Sequence, residues 1–374
     1  MTDPPVPLVD LGWQHRQIEA DLMPELLAAM RASEFVLGQR VRTFEEAFAS
    51  ASGVRWCRGV ASGTDAIELA LRGAGIGAGD EVIVPANSFV ASAAAVVRAG
   101  ATPRLIDCDP CYHLLDPALI EQVSTSRTRA VLAVHLFGQL APMAAIAAQA
   151  RPLGLLVFED AAQAHGARQL GRSMGQYGMA AATSFYPGKN LGAYGDAGAV
   201  LTDDDAIAAR VARLRDHGSS DKYRHELLGV NSRLDALQAV VLLAKLERLP
   251  EWNRLRVDAA QRYHDLLEGV GAVSRPLVMA GNSHVWHLYV VRVPDRDRVA
   301  QRMREQGVQV GMHYPLPLHR QPALGHLGYG PGAFPEAERA AAEVLSLPLY
   351  PGITAAQQER VTAALRTALG GRPA

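Results

Sequence analysis

The chain has 374 residues, 49% hydrophobic and 6% aromatic, with a formal net charge of −1. That length can bury a large core in two lobes, and the near-neutral balance excludes the strongly basic surface of a nucleic-acid binder. The three cysteines, Cys57, Cys108 and Cys111, are an odd number without metal-ligand partners at useful spacing. They point to reduced thiols rather than a disulfide scaffold or a metal site. Met1–Pro7 lacks a basic and apolar leader, and no apolar run approaches the ~18 residues of a membrane span. The expectation is a soluble cytoplasmic protein.

In chain order, Cys57–Ala61 reads as a short strand, after which Ser62-Gly63-Thr64-Asp65 opens an alanine- and leucine-rich helix to about Leu71. A helix start with a glycine offers free N–H groups and a close backbone approach, which suits a phosphate. Ser62, Thr64 and Asp65 would equally serve as plain helix caps. The glycines from Gly73 to Gly79 follow a helix and precede the strand Glu81–Val84. They read as a helix end and turn, not as a dinucleotide fingerprint. Further strands are expected at Pro103–Ile106, Ala130–Leu136, Leu155–Phe158, Ala181–Phe185 and Gly198–Leu201. The segments between them are long enough for crossover helices, so the fold class is α/β with a mainly parallel central sheet.

Leu234, Leu237, Val241, Leu242 and Leu246 fall at helical spacing and predict a long amphipathic helix ending at Pro250. Beyond it a strand at His287–Val293 and a helix through Val299–Gln306 belong to a smaller C-terminal α+β lobe. The expected division is 1–250 and 251–374. His284 and His287, three apart in the expected strand, point to opposite faces and cannot share a metal. His165 and His313 lie in loops beside the segments with chemistry and stand as substrate or cofactor contacts of second rank.

Two such segments stand out. The apolar run Leu153–Phe158 ends in Glu159-Asp160, where a buried parallel strand would emerge into a loop, and open α/β sheets bind ligands there. One of these acids could instead cap a helix over Ala161–Ala164. Downstream lies Ser184-Phe185-Tyr186-Pro187-Gly188-Lys189-Asn190-Leu191-Gly192. It is not a Walker loop, which would need glycine at Thr183 and serine or threonine at Asn190. A lysine able to form a Schiff base and an aspartate able to hold a pyridinium nitrogen are the two groups that pyridoxal 5'-phosphate requires.

The ordered set resembles the DegT/StrS-type sugar aminotransferases, which have the aspartate aminotransferase fold. It runs through Pro7–Leu11, Ser62–Ala66, Gly79–Phe89, His135–Gln139, Glu159–Gly166, Ser184–Gly192, Asn231–Asp235, His313–Pro315 and Leu345–Pro351. Ser88, where threonine is usual, and Ala197, where glycine often stands, depart from the family. The resemblance implies a fold type I transferase using pyridoxal phosphate, with Lys189 carrying the cofactor and Asp160 on its ring nitrogen. It further implies Phe89 on the ring face, Gln163 on the ring hydroxyl, Gly63, Thr64 and Ser184 on the phosphate, and Asn231 reaching the partner subunit's phosphate in a homodimer. Arg233 suits a bidentate grip on the amino donor's carboxylate. His165, Tyr186, Tyr223, His313 and Tyr314 complete the substrate contacts.

Glutamate is the implied donor and a nucleotide-linked keto-sugar the acceptor. The stretch Asp216–Glu226, with Lys222, Tyr223, Arg224 and His225, resembles members that act on a dTDP-linked 3-keto-6-deoxyhexose. A 4-keto nucleotide sugar is the alternative substrate. A regulatory protein that retains the fold without catalysis is the alternative of another class. Lys189 argues against the dehydratases among these proteins, in which histidine replaces the lysine.

Overall fold

The computed structural model describes residues 4–221 and 223–370. Its centre is a seven-stranded sheet: β1 (Trp56–Val60), β2 (Glu81–Pro85), β3 (Thr102–Ile106), β4 (Thr128–Val134), β5 (Leu156–Asp160), β6 (Ala180–Ser184) and β7 (Gly198–Thr202). The spatial order is β1-β7-β6-β5-β4-β2-β3. From β3 through β6 every neighbouring pair is parallel, and β7 alone runs against both its neighbours. Both faces are covered, which is why β2, β4 and β7 read as unbroken apolar runs. One face packs against the helix Gly63–Gly73 and the alanine-rich helix Val90–Arg98, the other against Met143–Ala150.

The helix of Ala236–Leu266 runs straight through Pro250 instead of ending there. Proline inside a helix loses one hydrogen bond and costs about 3 kcal/mol. Here Leu249 and Trp252, on either side of it, are buried, and that burial holds the backbone helical. The first half of this helix packs on the sheet lobe through Ala239 and Leu242. Its second half, through Ala259, Ala260 and Tyr263, joins a separate core with Tyr289, Met303, Leu345 and Val361. The division expected at residue 250 therefore falls inside a continuous helix. Val6 packs in that same second core and pairs with Val308.

The second core carries a short antiparallel pair, Tyr289–Arg292 with Val344–Leu347. His287 lies just before this strand rather than within it. Among the described residues no helix is long and apolar enough to cross a membrane, and no three metal-ligating side chains cluster.

Candidate active site

Five chain segments leave the sheet at the C-terminal ends of β1, β2, β4, β5 and β6 and converge on a cavity of about 410 Å³. Open parallel sheets bind ligands at this edge. Asp160, the last residue of β5, and Lys189, in the loop between β6 and β7, both line it.

The two acids at the end of β5 part company. Glu159 is fully buried and consumed internally: it pairs with His135 Nε2 at 2.8 Å and accepts backbone N–H groups from Gly175, Tyr177 and Gly178. Asp160 faces the cavity, with Oδ2 accepting from Ser92 Oγ at 2.7 Å and Oδ1 from the Ala162 N–H at 3.2 Å. No helix follows it, because residues 161–167 form turns, so the capping alternative is removed.

Lys189 is held on a tight turn, its N–H donating to the Tyr186 carbonyl at 2.9 Å. A side chain at Gly192 would put its Cβ 2.3 Å from the Pro187 carbonyl oxygen, so that turn closes only on glycine. Lys245, itself buried, donates to the Gly192 carbonyl at 2.6 Å. Burial lowers the Lys189 amine to about 8, and the charge of Asp160 opposes the fall. A lysine amine so placed is partly neutral near physiological pH and can act as nucleophile or base.

The segment expected to cradle a phosphate is a capped helix start at the cavity wall. Ser62 caps the helix Gly63–Gly73 by accepting from the Asp65 N–H, which leaves the N–H groups of Gly63 and Thr64 without helical acceptors. A Cβ on Gly63 would sit 2.5 Å from Ser184 Cβ, and one on Gly198 2.4 Å from the Ser62 carbonyl oxygen. Helix start and strand end are thus pressed together, with the Ser184 side chain between them at the cavity wall. Phe89 is half-exposed with its ring 5.2 Å from that of Tyr314. Gln163 bridges the Phe137 N–H at 2.6 Å and the Tyr314 hydroxyl at 3.1 Å. Tyr186, His313 and Tyr314 also line the cavity. His313 is bonded to Ser346 Oγ at 2.8 Å and pushed down to about 4 by burial and by Lys189, which keeps it neutral. The donor set and the glycine-shaped cradle fit a phosphorylated pyridine aldehyde.

Other expected residues lie elsewhere. His165 does not reach the cavity: it is fully buried, bonded to Thr183 Oγ1 at 2.9 Å and packed against Phe48 and Phe185. Asn231 and Arg233 line a second, open hollow with Asp196, Asp235 and Gln238. Asp196 lines both hollows, so they adjoin. Arg233 pairs with Asp216 at 3.0 Å, not with Asp235 as its neighbour in sequence would suggest. Tyr223 is highly exposed beyond the hairpin strand Ser219–Asp221, and Lys222 lies outside the described residues. Asp196, Arg256 and His287 line the cavity without having been anticipated there. Ser92, the partner of Asp160, was also missed.

The sequence pattern of DegT/DnrJ/EryC1/StrS aminotransferases matches residues 16–366. The chain belongs to this aminotransferase family. A "pleiotropic regulatory protein" of Geobacillus stearothermophilus is 46% identical over 95% of the chain and 96% of its own length. The dTDP-3-amino-3,4,6-trideoxy-alpha-D-glucose transaminase of Streptomyces venezuelae is 43% identical over 97% of the chain and 96% of its own length. Among solved structures, S. venezuelae DesV in complex with a ketimine intermediate superposes with a TM-score of 0.95 at 43% identity, covering 98% of each chain. The architecture of this aminotransferase is accordingly the α/β fold of the pyridoxal-phosphate transferases.

Proposed function

We propose that this aminotransferase moves the amino group of glutamate to the keto carbon of a nucleotide-linked 6-deoxyhexose, with dTDP-3-keto-6-deoxyhexose as the acceptor, in the cytoplasm. The observation that carries the reading is the pairing of a depressed lysine amine and an aspartate carboxyl in one cavity beside a glycine-formed anion cradle. Identities of 40% and 41% to transaminases named for dTDP-3-amino sugars support the acceptor. Pyridoxal phosphate, when bound, supplies an aldehyde carbon to carry the amino group and a ring that draws off electrons.

The chain's own residues do the rest. The Gly63 and Thr64 N–H groups and the Ser184 hydroxyl would hold the phosphate at the positive end of the helix dipole. Asp160 would keep a proton on the ring nitrogen, and Ser92, bonded to its carboxylate, would fix the rotamer from which it does so. Phe89 would cover one ring face, while Gln163, oriented by Phe137 and Tyr314, would meet the ring hydroxyl. Lys189 would hold the cofactor's aldehyde carbon through its amine and, as the base that its burial favours, would carry the proton to and from the substrate carbon.

Glutamate added to the loaded protein should yield 2-oxoglutarate and shift the visible absorption, and a panel of 3-keto and 4-keto nucleotide sugars should then be aminated with the 3-keto dTDP sugar fastest. The name of the Geobacillus relative favours a second reading, a regulatory protein that binds the cofactor without turnover. Absence of 2-oxoglutarate from the loaded protein would select it.

The active unit in this reading is a homodimer with shared sites. Asn231 and Arg233 sit in the hollow adjoining the Lys189 cavity rather than in it. Val36 lines that hollow with its side chain exposed, and Met23, Leu27 and Met30 on the helix Leu11–Arg31, with Phe35, are further exposed apolar side chains that a second subunit would cover. Lys189→Ala and Arg233→Ala subunits, each inactive alone, should regain activity when mixed under exchange, to about half per mixed dimer from two-fold symmetry. Demonstrated exchange without recovery would show that both residues serve one chain's own site.

A further inference from the structure

His287 lines the cavity next to Lys189 and His313, yet no step above uses it. Its tautomer can be deduced from a chain of hydrogen bonds that begins and ends on groups with a single possible role. The Asn253 Nδ2 amide donates to the His165 carbonyl at 2.8 Å, and a carbonyl can only accept. Asn253 Oδ1 must therefore face Asn190, whose Nδ2 donates to it at 2.8 Å. The same Nδ2 donates to the Val285 carbonyl at 2.9 Å, which fixes the Asn190 amide independently. Asn190 Oδ1 is left facing His287 Nδ1 at 3.2 Å, and since that oxygen can only accept, Nδ1 must carry the proton. In the neutral ring, Nε2 is then a bare lone pair.

The surroundings keep the ring neutral. Burial, followed by the positive or potentially positive Lys189, Arg256, His313 and His165, holds the His287 imidazolium well below the ordinary histidine range. Arg256 grips the backbone behind it, donating to the Trp286 carbonyl at 3.2 Å and the His287 carbonyl at 3.4 Å. The acids of the cavity, Asp160 and Asp196, are elsewhere on its wall. Nε2 meets no partner among the described residues and is not among the sealed, unpaired atoms of the interior.

We propose that His287 is a substrate-binding residue: Nε2, kept unprotonated by the Asn253–Asn190 relay, accepts a hydrogen bond from an N–H or O–H group of the molecule in the cavity. The ligand chemistry is a hydrogen-bond donor, either the ammonium of the amino donor or a hydroxyl of the sugar. This rests on the transaminase reading for the identity of the ligands, but the tautomer does not.

Neutron diffraction from perdeuterated, ligand-free crystals tests the tautomer without any turnover. A deuteron on Nδ1 and none on Nε2 is expected, and a deuteron on Nε2 overturns the proposal even if the protein proves an active transaminase. The second arm is kinetic, on the loaded enzyme. His287→Leu should raise KM about tenfold, the usual worth of one hydrogen bond, for glutamate if the ammonium is the donor or for the nucleotide sugar if a hydroxyl is. His287→Gln places an amide oxygen near the Nε2 position and should restore most of the affinity. If the leucine variant does not fold, His287→Asn, which keeps a polar atom toward Asn190 and removes only the Nε2 position, takes its place. Unchanged KM for both substrates in a folded variant, or glutamine no better than leucine or asparagine, overturns the proposal.

Discussion

Lys189→Met is expected to abolish amino transfer and at the same time to stabilise the cofactor-free protein. The first effect follows from the loss of both the covalent attachment point and the proton carrier. A positioned general base alone contributes about 10²–10⁴-fold, so single-turnover rates should fall by at least about 10³-fold. Borohydride reduction of the loaded wild type should fix the cofactor's mass on the peptide containing Lys189, and a label on another lysine would refute the assignment. The second effect follows from where the amine sits. Its folded-state value, about 8, lies below that of a free lysine, so between the two the unfolded chain binds more protons and stability rises with pH. At pH 7 both states are charged, and the full cost of burying the ammonium stands. Methionine removes that cost, and an increase on the order of 1–2 kcal/mol in unfolding free energy at pH 7 is expected after allowing for partial exposure to the cavity. The gain should shrink as the pH approaches 10. An equal melting temperature for the two proteins at pH 7 would show that the amine is not desolvated.

Such a trade between stability and function is typical of a site that sequence can reveal locally. Asp160 was legible because a buried parallel strand is a continuous apolar run and the residue that ends it must emerge at the ligand edge of the sheet. Gly63 was legible as a cradle residue because a glycine at a helix start lets the backbone approach an anion closely, whereas the turn that only Gly192 closes shows itself in the structure alone. Strand ends differed by only one or two residues, as at β4, which stops at Val134 and not Leu136. What could not be read depends on contacts between distant segments. Pro250 remains helical because the flanking Leu249 is buried in the sheet-lobe core and Trp252 against the helix Leu11–Arg31, contacts absent from the local sequence. His165 sits beside the Asp160 loop in sequence, but its ring turns inward to Thr183 and Phe185. His287 was set aside by strand alternation, although the strand begins only at Tyr289. Its chemistry is fixed by Asn190, 97 residues away, and through it by Asn253. No periodicity or motif encodes a tautomer.

Asp160→Asn should give a folded, cofactor-binding protein whose amino transfer is slower by about 10²–10³-fold, the loss seen when one electrostatic stabiliser is removed from a site. Folding should change little, because Ser92 Oγ can still donate to an amide oxygen at the same position and the backbone ladder of β5 is untouched. Rate suffers because a neutral amide cannot hold the ring-nitrogen proton by charge, and the ring then draws electrons poorly. The substitution has a second, independent consequence. Asp160 is the charge that raises the Lys189 amine against desolvation, so without it that amine must fall further below 8. Reductive methylation of the cofactor-free protein as a function of pH reads this directly: the midpoint for Lys189 should move to lower pH in the variant. A midpoint that stays in place would mean that the two side chains do not interact across the cavity. Near-normal single-turnover rates would reduce Asp160 to a turn-forming residue bonded to the Ala162 N–H. Only the combination of slow transfer, intact fold and a shifted lysine midpoint fits a carboxylate that works through its charge.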